Sequence, residues 1–218
     1  MSTIKHRASS PKTRGNLWLQ VSLAILGTVA MGALARTVAG HPAAKADAAA
    51  SRAAFMQVYR VLTSPRCQNC HPAGDAPLQG DDSHVHLQNV KRGADGHGVT
   101  AMRCDTCHQK ANLPGAHMPP GNPKWALPPP EEKMVFVGRS PGALCRQIKD
   151  PKQNGGRSLE KLLDHVANDD LVGWGWKPGD GRTLPPLSRP DTAAQMKIWI
   201  EGGAACPEWC CAEKQAAQ

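Results

Sequence analysis

Aromatic side chains are scarce in this chain of 218 residues. They make up 4% of it, as two Phe, one Tyr and six Trp. Because large rings normally supply much of the buried apolar surface, a conventional core is thin for a domain of this size. No segment shows the alternation of apolar and polar residues that predicts a β-strand. The composition therefore excludes a dense aromatic core and argues against an all-β fold.

Acidic residues are also missing from the start of the chain, where none precedes Asp47. An apolar run covers residues 17–35 and closes on the small-residue pattern Ala33-Leu34-Ala35. The basic residues before that run are Lys5, Arg7, Lys12 and Arg14. This order predicts an export signal over residues 1–35, which sends the remaining chain to the periplasm. We expect cleavage near Ala35, and the alternative is that residues 17–35 stay as an inner-membrane anchor.

The pattern Cys-x-x-Cys-His occurs twice, at residues 67–71 and 104–108. Two cysteines at this spacing can each form a thioether with one vinyl group of the same porphyrin, while the adjacent histidine binds the iron. The pattern therefore predicts two covalently attached haem c groups. The residues it assigns to them are Cys67, Cys70 and His71 for the first haem, and Cys104, Cys107 and His108 for the second. His71 and His108 are the expected proximal iron ligands.

Zinc is the alternative interpretation of these residues, because two Cys-x-x-Cys pairs can form a tetrahedral sulfur site. Zinc would leave both histidines without a role. It would also be unusual in an exported protein, where free thiols tend to oxidise to disulfides. Haem explains all five positions of each motif, so we expect haem.

The ligand on the other side of each iron decides the chemistry. A second histidine gives a low-potential carrier, methionine raises the potential, and an empty position permits small-ligand binding or peroxidase chemistry. His84 and His86 fall in a short helix predicted over residues 84–90, where they point to different sides. We choose His86 because Val90 lies one turn further along its face.

For the other haem we choose His117, which lies in a proline-rich segment shortly after the second motif. Its neighbour Met118 is the direct competitor, and Met134 is a further one. The sequence does not decide which distal residue serves which haem. His165 lies beside the apolar stripe of a predicted helix and is expected to be structural.

Apolar spacing predicts helices over residues 53–62, after Ser140, from Ser158, and over residues 190–201. Seven prolines between Pro114 and Pro130 predict an extended segment, with Trp125 packed against a haem surface. The expected fold class is mainly α: a dihaem cytochrome c-like domain with long irregular connections rich in Pro and Gly. Five segments are expected: the leader 1–35, an Ala-rich spacer 36–52, a dihaem-binding region 53–137, a helical C-terminal part 138–207 of the same domain, and a tail 208–218.

Four cysteines lie outside the haem motifs: Cys145, Cys206, Cys210 and Cys211. In an oxidising compartment they should form disulfides, and four cysteines allow three pairings. We favour a bond between Cys145 and Cys206, which ties the helix after Ser140 to the end of the last helix. A vicinal bond between Cys210 and Cys211 would be strained, so these two are expected to be free or intermolecular.

The net charge of +8 falls to +4 without the leader, because the leader holds four basic residues and no acidic ones. A nucleic-acid-binding domain carries a much denser positive surface, so no nucleic-acid partner is expected. The mild positive charge permits docking to an acidic redox partner.

Further motifs accompany the haem motifs between about Phe55 and Pro207. They are Arg92-Gly93-Ala94-Asp95-Gly96, His117-Met118-Pro119-Pro120-Gly121, Leu144-Cys145-Arg146-Gln147, Asn154-Gly155-Gly156-Arg157 and Trp174-Gly175-Trp176. With them the chain resembles a bacterial family of dihaem proteins named as subunits of an isoquinoline 1-oxidoreductase. The resemblance implies an electron-accepting cytochrome that works with a molybdenum hydroxylase-type dehydrogenase. The chain itself has no molybdopterin, flavin or iron-sulfur motif, so this subunit would not be the catalyst.

These observations predict a periplasmic dihaem electron carrier that receives electrons from a dehydrogenase and passes them to a respiratory acceptor. A small dihaem peroxidase is the alternative, and it needs one iron with an open distal position. A haem-based sensor would usually carry an output domain, for which no segment is evident.

Overall fold

Helices provide most of the regular structure in residues 42–208, the part of the chain that the computed structural model describes. Their bounds are α1 Pro42–Leu62, α2 Pro65–Gln68, α3 Pro141–Lys149, α4 Leu159–Asn168, α5 Asp170–Trp174 and α6 Arg189–Glu201. Four two-residue strands form two antiparallel hairpins: β1 Leu78–Gln79 with β2 His84–Val85, and β3 Gly98–Val99 with β4 Met102–Arg103. Short 3-10 turns cover Cys104–Thr106 and Pro130–Glu132. The mainly α expectation is confirmed at this level.

Serine caps begin three of the helices. Ser140, Ser158 and Ser188 have extended backbones, and each hydroxyl accepts a hydrogen bond from the backbone N–H three residues later. Such a cap satisfies one of the N–H groups that a helix start leaves without a partner. Proline in the first turn of α3 and α6 adds to this, because its fixed φ suits a helix and its missing N–H is not needed there. The starts predicted for these three helices are confirmed to within one or two residues.

Helix α1 packs along α6 and forms the main helical core. The rings of Phe55 and Trp199 are both fully buried, with centroids 5.0 Å apart. Beside them, the buried hydroxyl of Ser51 donates to the Trp199 carbonyl at 2.7 Å and accepts from the Ala205 N–H at 3.0 Å. Leu144 of α3 and Leu162 of α4 complete the same cluster. Residues from both ends of the described chain therefore share one core.

Helix α1 is longer than the sequence predicted, since it begins at Pro42 rather than near Ala53. The second half of the expected spacer over residues 36–52 is therefore helical. Its alanines are strong helix formers, and Ser51 within it is fully buried against the end of α6. Burial against α6 gives this stretch a place in the core that composition alone did not indicate.

The helix predicted over residues 84–90 is wrong. His84 and Val85 form strand β2, and the chain then turns, with Asn89 at a φ of +52°. The preceding loop holds Gly80 at a φ of +77° and Ser83 at +56°, which reverses the chain and pairs Leu78 with Val85. Positive φ values of this kind belong to tight turns, so the hairpin replaces the helix.

The region between α2 and α3 is largely irregular and is held by buried polar contacts. The guanidinium of Arg92 is 1% exposed and donates to the backbone carbonyls of Gly74 and Pro128. Gly96 has a φ of +81°, and a Cβ there would lie 2.0 Å from the Leu127 carbonyl oxygen. Only glycine permits this approach, which brings the proline-rich segment against the loop before the second motif.

No helix within residues 42–208 is long and apolar enough to cross a membrane. The predicted leader over residues 1–35 lies outside the described residues, as do Cys210 and Cys211. The structure therefore leaves those expectations as they stood.

The predicted disulfide between Cys145 and Cys206 is confirmed. It joins α3 to the chain just after α6, and Cys145 is fully buried beside the helical core. The two cysteines are 61 residues apart, so the bond closes a long loop and restricts the unfolded chain strongly.

Replacing both Cys145 and Cys206 with serine should lower the free energy of unfolding by about 3 kcal/mol, because the loop is no longer closed in the unfolded state. Guanidinium unfolding of the two proteins measures this difference. Dithiothreitol should lower the stability of the natural protein and leave the variant unchanged. Equal midpoints for variant and natural protein would show that the bond adds nothing.

Candidate functional site

The first Cys-x-x-Cys-His motif folds as the end of a short helix followed by a tight turn. Pro65 begins α2, and the Cys67 N–H donates to the Ser64 carbonyl at 3.0 Å. The Cys70 N–H then donates to the Cys67 carbonyl, and the His71 N–H donates to the Gln68 carbonyl. These bonds make a compact turn that carries both thiols and the imidazole.

The thiols of this motif are free, and they are not activated. Burial raises the pKa of Cys67 to about 12 and the pKa of Cys70 to about 11. A thiol is nucleophilic as the thiolate, so at neutral pH these two have little of the reactivity that a catalytic cysteine needs.

His71 is fixed at one end and along one face. Its Nδ1 donates to the backbone carbonyls of Met134 at 2.9 Å and Lys133 at 3.2 Å. Its ring stacks on Phe136 with centroids 4.0 Å apart, and the Phe136 N–H donates to the His71 carbonyl at 2.9 Å. A carbonyl can only accept, so the proton lies on Nδ1 and the lone pair lies on Nε2.

Burial also lowers the pKa of His71 to about 4, although the hydrogen bonds that its Nδ1 donates to the two carbonyls act to raise the pKa. The imidazole is therefore neutral at neutral pH. A neutral imidazole whose Nδ1 donates to a carbonyl is the form that binds a metal through Nε2.

His108 of the second motif repeats this arrangement with different partners. Its Nδ1 donates to the Pro120 carbonyl at 2.7 Å, and its ring stacks on Trp125 with centroids 4.5 Å apart. Burial lowers the pKa of His108 as well. Both motif histidines thus combine a backbone carbonyl at Nδ1 with an aromatic ring on one face, although the supporting segments are unrelated in sequence.

The two motifs do not come together as one tetrahedral metal site. Within residues 42–208, no three His, Cys, Asp or Glu side chains are grouped closely enough to hold a metal ion. A structural zinc site needs four ligands that converge on one point. Haem makes no such demand, because each iron would take one histidine from its own motif.

His86 is the histidine whose ring lies beside that of His108. The two ring centroids are 6.3 Å apart, and the ring planes are inclined at 68°. Two imidazoles that bind one metal from opposite sides have centroids roughly 6 Å apart, because each metal–nitrogen bond is about 2 Å long. Nδ1 of His86 is buried without a hydrogen-bond partner, and burial lowers the pKa of this ring.

The predicted helix would have placed Val90 one turn from His86. Residues 84–90 do not form that helix, so Val90 no longer supports the choice of His86. Nδ1 of His84, the neighbour that was not chosen, lies within hydrogen-bond distance of the Asp82 carboxylate, at 2.7 Å. The His84 side chain is 39% exposed. His84 is therefore partly exposed and paired with a carboxylate of its own loop. His86 as an iron ligand stays a prediction, now supported by its distance from His108.

His117 is exposed and lies on a loop that contacts the segment at Asp180 and Gly181. Its backbone N–H donates to the Asp180 carbonyl at 3.0 Å, and its ring lies against Gly181. Among residues 42–208, the only ring in contact with His71 is that of Phe136. His117 as a distal ligand therefore stays a prediction without support from a ring contact.

The two competing methionines occupy different surroundings. Met118 is 42% exposed, and its side chain lies close to Gly115. Met134 is partly buried against the helical core. The Met134 carbonyl accepts from Nδ1 of His71, so its backbone lies at the end of that imidazole away from Nε2.

His165 on α4 lies nearer to the first motif than the sequence indicated. Its charge would lower the pKa of His71, while burial lowers the pKa of His165 itself. Its Nδ1 is 3.8 Å from the Asp169 carboxylate. The sequence predicted a structural role, because a lone histidine beside an apolar stripe usually belongs to the helix surface or the core. Its position relative to His71 depends on how α4 packs, which the sequence does not show.

An aromatic series leads from His108 towards a cavity. Trp125 meets Trp174 edge-on, with centroids 4.9 Å apart. Trp174 Nε1 donates to the Asn112 side chain at 2.9 Å. Trp174 and Trp176 both line a cavity of about 460 Å³. Trp125 therefore packs, with the histidine of the second motif as its partner, and its contact with a haem surface stays a prediction.

Compared with protein-family models, curated proteins and solved structures, the chain gives no match.

Replacing Phe136 with alanine should lower the free energy of unfolding by about 3 kcal/mol, because it removes a buried ring and leaves a cavity beside His71. Guanidinium unfolding measures the loss. Leu184→Ala is the matched control, since Leu184 is 61% exposed and its removal should cost less than about 0.5 kcal/mol. Similar losses for the two variants would contradict the supporting role of Phe136.

Proposed function

We propose that this chain is a periplasmic dihaem c-type cytochrome that transfers electrons. The observation that best supports this proposal is the geometry that the two motifs share. Each histidine donates its Nδ1 proton to a backbone carbonyl, which leaves Nε2 available to a metal. When bound, haem iron alternates between its ferrous and ferric states and so carries one electron. The chain's own part is to attach the two groups, orient their ligands and exclude water around them.

The second site has the better-supported pair of ligands. His108 would hold the iron from the motif side, and His86 faces it at a spacing that suits one metal between two imidazoles. Two histidine ligands leave no iron position for a substrate and favour a low-potential carrier. This pairing supports electron transfer over catalysis at the second site.

The first site differs, because in residues 42–208 no imidazole faces His71 at a comparable distance. His117 remains the histidine proposed from the sequence, and His165 lies near His71 in the structure. An open iron position at this site is what the alternative of a small dihaem peroxidase would need. The first site is therefore where the two functions can be told apart.

Separate observations support the proposed location and the proposed partners. Periplasmic location follows from the predicted export signal, and covalent haem attachment suits that compartment. The resemblance stated above supports a molybdenum-dependent dehydrogenase as electron donor, with a respiratory acceptor downstream. Membrane attachment through residues 17–35 belongs to the same proposal as the alternative to signal cleavage.

The full-length protein, expressed with a haem-attachment system and exported, should carry two covalent haems by intact mass and by its absorption spectrum. Cys67→Ala with Cys70→Ala should remove one haem, and Cys104→Ala with Cys107→Ala should remove the other, because each pair supplies both thioethers. The Cys145→Ser and Cys206→Ser protein is the control and should keep both. A protein that binds zinc instead of haem would overturn the proposal.

Replacing His86 with alanine should convert one of the two haems to a high-spin form that binds carbon monoxide, because one iron loses its sixth ligand. The absorption spectrum of the reduced protein, recorded with and without carbon monoxide, measures this. His84→Ala is the matched control and should leave both haems unchanged. Two low-spin haems in the His86 variant would refute this ligand.

The same spectra of His117→Ala and His165→Ala assign the first site. If the unaltered protein already has a high-spin haem that turns over peroxide, the peroxidase alternative replaces the carrier.

A further inference from the structure

We propose that the first haem motif also positions the sixth ligand of the second haem. Gln68 and Asn69, the two residues between the cysteines of that motif, would act as positioning residues for His86. This inference deepens the proposed function and rests on it. It assigns a role to two positions that haem attachment itself leaves free.

The hairpin of β1 and β2 carries His86, and it is too small to be stable alone. Each strand has two residues, with Leu78 paired to Val85 and Gln79 paired to His84. Isolated two-stranded hairpins are marginal in water even when longer. Its loop also holds Ser83 at a φ of +56°, a conformation that costs energy for a residue with a side chain. The hairpin therefore needs an external support.

The first motif provides that support through three hydrogen bonds. The Leu78 N–H donates to the Asn69 carbonyl at 2.9 Å, and the Asn69 side-chain amide donates to the Gly80 carbonyl at 2.9 Å. The Gln68 side-chain amide donates to the Ser83 hydroxyl at 2.8 Å. These bonds reach the first strand, the turn and the strained residue, so they hold the hairpin along its length.

Arg66, just before the motif, adds an ion pair to the same loop. Its guanidinium is 3% exposed and bonds to the Asp81 carboxylate and to the Gly80 carbonyl. The side-chain oxygen of Asn69 is buried and has no partner. An amide at this position thus contributes through its N–H donors, at the cost of an unpaired oxygen.

The hairpin in turn sets the position of His86. His86 directly follows β2, and its N–H donates to the Pro77 carbonyl at 3.0 Å, which continues the pairing by one residue. From this point its ring lies 6.3 Å from that of His108. The distance between the two imidazoles therefore depends on a hairpin that is fastened to the other haem's motif.

The two haem sites are coupled by this arrangement. Any change that loosens the turn at Gln68 and Asn69 should raise the fraction of molecules in which His86 has left the second iron. The corresponding residues of the second motif, Asp105 and Thr106, are exposed and do not support a hairpin in this way.

The test is the rate of carbon monoxide association with the reduced, fully haem-loaded protein. Gln68→Ala with Asn69→Ala should raise that rate roughly tenfold, since two hydrogen bonds that hold the closed state are lost. Asp105→Ala with Thr106→Ala is the matched control and should change the rate less than about twofold. Intact mass confirms that both variants carry two haems. An unchanged rate in the first variant, or an equal rise in both, overturns the inference.

Two further variants keep the result interpretable. Ser83→Ala removes the Gln68 contact from the hairpin side and leaves the haem motif intact, so a smaller rise, about fivefold, is expected even if the double variant fails to attach haem. In a His86→Ala background, the substitutions at residues 68 and 69 should add nothing, because the ligand they position is gone. If His86→Ala alone leaves both haems low-spin, the assignment of His86 as a ligand is wrong. If His86→Ala gives a high-spin haem but the positioning variants leave the carbon monoxide association rate unchanged, only this inference is wrong.

Discussion

The hydrogen bond from Nδ1 of each motif histidine to a backbone carbonyl decides which ring nitrogen remains for a metal. A histidine that follows Cys-x-x-Cys is attached to a short turn and could rotate about its side-chain bonds. The carbonyls of Met134 and Pro120 remove that freedom at His71 and His108. Both acceptors are in irregular segments, so the course of those segments is part of the site. Their prolines and positive φ residues restrict the backbone at the points where the carbonyls must face inward.

The sequence could identify the two motifs because their chemistry is local. Attachment needs two thiols and an imidazole at fixed spacing, and no distant residue contributes to that requirement. Helix starts at Ser140, Ser158 and Ser188 are local in the same way, since a hydroxyl and a backbone N–H three residues later suffice. The pairing of Cys145 with Cys206 was predictable because Cys145 lies in the helix after Ser140 and Cys206 follows the last helix, and the pattern had already placed both helices.

The supporting contacts could not be predicted, since they join residues far apart. The carbonyl of Met134 is 63 positions from His71, and a backbone carbonyl has no sequence signal. The error over residues 84–90 has a different cause. The run Gly80-Asp81-Asp82-Ser83 before these residues has a composition typical of a turn, and it closes a hairpin where the helix was predicted. The helical position next to Val90 that favoured His86 does not exist. His86 lies near His108 because of the hairpin.

The scarcity of aromatic residues can now be understood together with the site. Phe55 and Trp199 supply the helical core, whereas Phe136 and Trp125 lie against the two motif histidines. Rings that would enlarge the core in another protein support metal-ligand candidates here. Such a chain gains less stability from its apolar interior, and the buried disulfide beside Trp199 offsets part of that loss. Phe136 belongs to the helical core cluster and also stacks on His71. Through that one ring, the order of the first site depends on the packing of the helices, while the hairpin of His86 ties the second site to the first.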